Sequence, residues 1–319
     1  MLRYTVQRLL LGGLPLLFLI ATITFLLMRA TPGGPWDGGR PLPAATIENL
    51  DRRAGLQAPL PAQYGRFLLG LIQGDLGASL TRPGQSVAGL VRARAGASAL
   101  LAGLALAIAV PAGLALGAAA ARRPGGRLDR LSLLLGVLGS AIPAFVLAIG
   151  AILLFSLWLD LLPPGGWGRP QHLILPTLVL AILPGAILTR LTRTVVADAL
   201  SAGYVRTAAA KGLSPRLVLV RHVLPNVAPA PLMLLGVLVA DLAAGAFLVE
   251  YVFGIPGLGR LFVDAVFQRD YGVIMGVALF FAALVIVTTL AADLLHAALD
   301  PRVRRRLTEP QPSSSRPSC

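Results

Sequence analysis

Few residues in this chain could do covalent chemistry, and their spacing excludes most enzymatic routes. Lys211 is the only lysine, and Gly212 follows it. A phosphate-cradling Walker A loop needs Lys followed by Ser or Thr, so the chain carries no P-loop. None of the three histidines, His172, His222 and His296, stands in a His-Glu-x-x-His arrangement. The single cysteine, Cys319, offers neither a zinc site nor an internal disulfide, and no C-terminal lipidation box surrounds it. A Gly-x-Ser-x-Gly nucleophile elbow is absent too. What remains is electrostatic. Asp241 and Asp293 lie in otherwise apolar runs, and an ionisable group inside a membrane span is costly enough to be a functional candidate by default. Two readings of Asp241 compete: a carboxylate that meets a cationic group such as an amino terminus, or one held in an interhelical pair or hydrogen bond. Asp293, with His296 three residues on, and Asp300, before Pro301 and Arg302, read as structural groups at the end of a span.

Polar groups also gather in the stretch 204–226, YVRTAAAKGLSPRLVLVRHVLPN. Tyr204 to Lys211 is a run of mostly helix formers, and Gly212 can close it in the left-handed conformation. Ser214 can cap a second helix, with Pro215 at its first position where no backbone donor is missed. Pro225 is expected to stop that helix. The pattern predicts a helix–Gly–helix elbow between membrane spans, on which a partner could dock. An ordinary basic loop is the competing reading.

Membrane helices must position these groups. Hydrophobic residues make up 56% of the 319 residues, charged residues 13%, and the mean hydropathy is +0.77. A soluble domain carries roughly 25% charged residues. Spans of about 20 apolar residues are predicted at 9–28, 97–121, 131–159, 173–189, 227–249 and 272–297. Pro143 lies inside the third and should kink it; Pro176 and Pro184 interrupt the fourth, which is short. The loops 122–130 and 190–226 hold ten basic residues, against three in 160–171 and 250–271. By the positive-inside rule the elbow and both termini are cytoplasmic, and 30–96 lies outside. Arg3 and Arg8 precede an apolar run too long for a cleaved signal peptide, so an uncleaved first span is expected. The net charge of +14 is concentrated on inner loops and the run 302–306, facing anionic lipid. No aromatic residues alternate with those arginines, so nucleic acid is not an expected partner. Polar, Pro/Ser-rich 308–319 is expected to be disordered.

The spacing Arg206-Thr207-Ala208-x-x-x-Gly212, then His222-x-Leu224-Pro225, resembles the "EAA" loop of ABC importer permeases. Arg-Thr-Ala in place of Glu-Ala-Ala is similar to the branch that imports dipeptides, oligopeptides and nickel. The resemblance runs along nearly the whole chain. It takes in Gln63-Tyr64 and Gly74-Asp75-Leu76-Gly77 of the external segment, and Ile142-Pro143-Ala144-Phe145 of the third span. It also takes in 176–193, Glu250 with Pro256-Gly257-Leu258-Gly259, Arg269-Asp270-Tyr271, and 293–302. Two departures stand out. Gly96-Ala97-Ser98 replaces a Pro-x-Thr at the start of the second span, and Asp241 replaces a small or apolar residue.

That resemblance implies an all-α, six-span permease of the type I importer fold in a bacterial inner membrane. Segment 1–29 would be the N-terminus and first span, and 30–96 an external segment with an amphipathic helix around Tyr64, Phe67, Leu68, Leu71 and Ile72. Segment 97–300 would be the five-span core including the coupling loop 190–226, and 301–319 a basic tail. Arg206, Thr207, Ala208, Lys211, Gly212, His222, Leu224 and Pro225 would couple to an ATPase; Asp241 and Pro143 are candidates for the translocation pathway. The chain would not be an enzyme and would hold no cofactor, since ATP and Mg belong to partner chains. Implied partners are a second homologous permease, two cytoplasmic ABC ATPases, an external substrate-binding protein and membrane lipid. The cargo would be peptides or a similar small solute, such as a nickel chelate, an opine or a glutathione-like molecule. A stand-alone ion-coupled carrier is the alternative, and should show inverted repeats and paired intramembrane carboxylates.

Overall fold

A computed structural model describes residues 2–36 and 43–299. The expectations for Asp300, the side chain of His296, the basic run 302–306 and the stretch to Cys319 lie outside the described residues. Within them the chain is helical, apart from one isolated bridge between Ala78 and Ser86. Thr5–Ala30, Val87–Ala121, Gln171–Leu200, Pro215–Leu242 and Tyr271–Leu294 are long and apolar enough to cross a membrane. The bent pair Arg127–Ala141 and Ala144–Trp158 makes six if taken as one span.

Several boundaries differ from the hydropathy reading, each for a local reason. The second span begins at Val87, ten residues before the apolar run. Ser86 caps it by accepting from Gly89 N at 3.1 Å, and Val87 and Val91 are buried against Val273 and Val277 of the sixth span. Pro143 does more than kink the third span. Its helix ends at Ala141 and a new one starts at Ala144, turned by 104°. The fourth span is not short, because it runs unbroken through Pro176 and Pro184 to Leu200. Both prolines are buried, and packed neighbours let a membrane helix tolerate the hydrogen bond that each removes. Pro225 does not stop its helix either. A π-turn at Leu219–Val223 shifts the register, so Pro225 falls in the first turn of the next segment, Leu224–Val227, where its missing N–H costs nothing. The helical course continues through Pro229–Met233 into Leu235–Val252.

Small residues set the closest helix pair. A Cβ on Gly113 would lie 2.8 Å from Leu188 Cβ, and one on Gly117 would lie 2.6 Å from Thr189 O. This four-residue spacing lets the second and fourth spans approach backbone to backbone. The buried residues then form three layers along the bundle. Val87, Leu261 and Val277 lie at one end, Leu101, Val179 and Phe253 in the middle, and Ala118, Val196 and Val223 at the elbow end.

The expected amphipathic helix exists as Leu60–Ile72. It packs on the first span: Phe25 stacks on Phe67 at 5.8 Å and meets Tyr64 at 5.2 Å, and the Tyr64 and Thr22 hydroxyls are 2.6 Å apart. Leu69 remains exposed on its other face, and Ile72, expected on the apolar stripe, is exposed because it ends the helix.

Candidate functional site

The elbow is built as the residue types dictate. One helix, Gly203–Ala210, ends at Lys211, and Gly212 then takes φ +79°. Only glycine enters that region without strain. Ser214 Oγ accepts from Leu217 N at 3.4 Å, and Pro215 opens the second helix. The elbow does not float in solvent. Ala208 is buried with Ala118 and Ala121 of the second span, Val196 of the fourth, and Val218, Leu219 and Val223 of the second elbow helix. Ala208 thus joins one apolar cluster drawn from the second span, the fourth span and the second elbow helix. Leu224 packs at the edge of the same cluster. Arg206, Thr207, Lys211, Gly212 and Pro225 are exposed and His222 is half-buried. So the eight sequence-selected residues divide into an inward seat and an outward face, and a Cβ on Gly212 would meet nothing within 4 Å.

At the same end, Arg193 forks onto Asp129, with Nε and Nη2 donating to the two carboxylate oxygens at 2.8 and 2.9 Å. Gly125 N adds a third bond at 2.8 Å. In the sequence Arg193 is one of the loop's basic residues and closes the stretch 176–193; no local signal there points to Asp129 as its partner. Asp293 pairs with Arg8 of the first span, in keeping with its structural reading.

The opposite end holds two polar knots that the sequence reading did not resolve. Glu250 is fully buried. Its carboxylate accepts from Ser98 Oγ at 2.6 Å, Gly259 N at 2.8 Å and Arg260 N at 3.3 Å, while Ser98 Oγ accepts from Leu258 N at 2.8 Å. The Gly257-Leu258-Gly259 turn is thereby wrapped onto the second span. A Cβ at Gly257 would collide with that carboxylate. The signal in sequence was an acid at the end of an apolar run, followed by a glycine-rich turn. In the second knot Asp270 accepts from the Ser79 hydroxyl, from Thr81 Oγ1 at 2.8 Å and from the amides of Leu80 and Val273 at 3.1 and 3.3 Å. Burial alone would push its carboxyl up; the Ser79, Leu80, Thr81 and Val273 bonds outweigh it and hold the group below its ordinary value. Gly74-Asp75-Leu76-Gly77 and Arg269-Asp270-Tyr271, far apart in sequence, thus flank one junction.

Asp241 and Pro143 come to one region. Asp241 is exposed on the chain and makes no hydrogen bond or ion pair with another described residue. It lines a cleft of about 30 Å³ with Leu180, Pro184 and Ala144, the residue that follows Pro143. The interhelical pair considered from the sequence is therefore not formed within the described residues.

Known proteins place this architecture. The family described as "Binding-protein-dependent transport system inner membrane component" matches residues 113–305, and its N-terminal companion family matches residues 1–87. The dipeptide transport system permease protein DppB of Bacillus subtilis is 40% identical over 95% of this chain and 98% of its own length. The oligopeptide transport system permease protein OppB of Escherichia coli K12 is 34% identical over 95% of this chain and 100% of its own. Among solved structures, a chain of the MetNI methionine ABC transporter in an inward-facing conformation shares the fold. Its TM-score is 0.50 at 16% identity, covering 64% of this chain and 92% of that one. The chain belongs to the inner-membrane permease components of binding-protein-dependent ABC import systems.

Proposed function

We propose that the chain forms half of a translocation pathway for peptides or a similar small solute, and that cytoplasmic ATPases drive it through the elbow. Its similarity to dipeptide and oligopeptide permeases supports the cargo class. Family membership favours this reading over a stand-alone ion-coupled carrier. ATP and Mg would be held by two partner ATPases, with a second permease and an external binding protein completing the assembly. The excess of basic residues on the elbow side supports a cytoplasmic elbow and cytoplasmic termini.

The observation that carries the coupling role is the divided elbow. Ala208 seats it on the second and fourth spans, while Arg206, Thr207 and Lys211 face outward. Force on the outward face is delivered to two spans at once. ATP-driven closure of the ATPases would move the elbows and rock the spans between inward- and outward-facing states.

Two substitutions at Gly212 test this. Gly212→Ala introduces the backbone strain of a positive φ with little bulk. Gly212→Trp adds bulk to a position open in this chain. The expected result is that both variants insert, but Gly212→Trp alone reduces substrate-stimulated ATP hydrolysis to the unstimulated rate. Normal stimulation in Gly212→Trp would remove Gly212 from the coupling role.

A further inference from the structure

We infer that Asp241 anchors a subsite for the cationic amino group of the transported solute, where the third, fourth and fifth spans meet. The inference rests on the transport reading above and adds the chemistry of the solute end that the membrane subunit itself recognises.

Three observations converge. First, Asp241 lies well inside an apolar helix, is exposed on the chain, and has no partner among the described residues. A carboxylate at that depth cannot rest against hydrocarbon without a large cost, so water or protein covers this face of the fifth span. Second, the cleft is walled by a continuous helix that lacks one backbone hydrogen bond and by a span that breaks. Pro184 has no N–H to give to the Leu180 carbonyl one turn back, and the third span breaks just before Ala144. Irregular backbone at membrane depth is tolerated where it is buried in protein or lines a water-filled cavity. Third, no basic side chain lines the cleft, and its volume of about 30 Å³ suits an ammonium head or a water molecule rather than a whole solute. A lone carboxylate beside a freed carbonyl, in a space of that size, selects a hydrogen-bond-donating cation. A primary ammonium group is the fitting occupant, and the rest of the solute would extend away from the cleft.

Uptake by the complete transporter in proteoliposomes, with its binding protein and ATP, provides the test. The probes are labelled alanyl-alanine and its N-acetyl derivative, which differ in the charged amino group. Wild type is expected to prefer the free amine by about tenfold, the worth of one charge-assisted hydrogen bond. Asp241→Asn should collapse that ratio by slowing the free-amine peptide, and Asp241→Glu should restore part of it. In parallel, Asp241→Cys should react with the water-soluble cation aminoethyl methanethiosulfonate in at least one nucleotide state. A wild-type ratio retained by Asp241→Asn would overturn the subsite alone. So would an Asp241→Cys thiol that stays unreactive with and without ATP, since a permanent partner would then cover the position. No ATP-dependent uptake of either peptide by wild type would overturn the peptide reading and the subsite with it.

Discussion

At the elbow end, Ala118, Ala121, Val196 and Ala208 hold the elbow to the bundle through apolar surface. At the opposite end, Glu250 and Asp270 gather hydroxyl and amide donors from segments on both sides of the second span's start. Apolar contact is non-directional, so a helix can roll on such a seat without orphaning a polar group. A carboxylate knot has fixed geometry, and breaking it leaves buried donors and acceptors unpaired. The elbow is therefore fastened in a way that transmits displacement, and the far end in a way that resists it until several bonds break together.

The comparison is broken most severely at Glu250. Glu250→Ala strands the Ser98 hydroxyl and the Gly259 amide in a buried site. It should cost about 2–5 kcal/mol, read as a lower unfolding temperature of the purified complex; an unchanged temperature would mean the knot is ornamental. The elbow seat should respond to volume rather than charge. Ala208→Leu overpacks the convergence of three helices and should cost about 1–3 kcal/mol. It should also lower ATPase co-purification, whereas Ala208→Ser should behave nearly as wild type. Equal behaviour of the two variants would refute the tight seat. The smallest effect concerns Asp270. Because its carboxyl is held below the ordinary value when folded, its contribution is present above the ordinary carboxylate range. That contribution is lost as pH falls through the folded value. Ser79→Ala removes one of the bonds that lower it, so acid destabilisation should begin at higher pH, with about 1 kcal/mol lost at neutrality. Superimposable stability–pH curves for Ser79→Ala and wild type would contradict this.

What the sequence revealed and what it concealed follow the same division. Spans were legible because apolar length is a local property. The elbow was legible because Gly212, Ser214 and Pro215 act on their own neighbours. Pro225 misled, since a proline rule knows nothing of a π-turn placed just before it. Pro176 and Pro184 misled because burial among neighbouring helices, not local propensity, decides whether a helix survives a proline. The knots were hidden because Ser98 and Glu250 lie 152 residues apart, and Ser79 and Asp270 191 apart. Ser98, noticed only as a departure from Pro-x-Thr, proves to hold both Glu250 and the Leu258 amide.

The break at Pro143 also bears on the surrounding lipid. Arg127–Ala141 has 15 residues, and at about 1.5 Å per residue it reaches roughly 22 Å. A hydrocarbon core of about 30 Å exceeds that length. With the second half turned by 104°, the third span cannot match the bilayer as a straight rod. It can cross only with both halves tilted, or where the membrane thins or neighbouring protein covers the bend. Acyl-chain length should accordingly act on this span before the others, making lipid thickness a physical variable of transport.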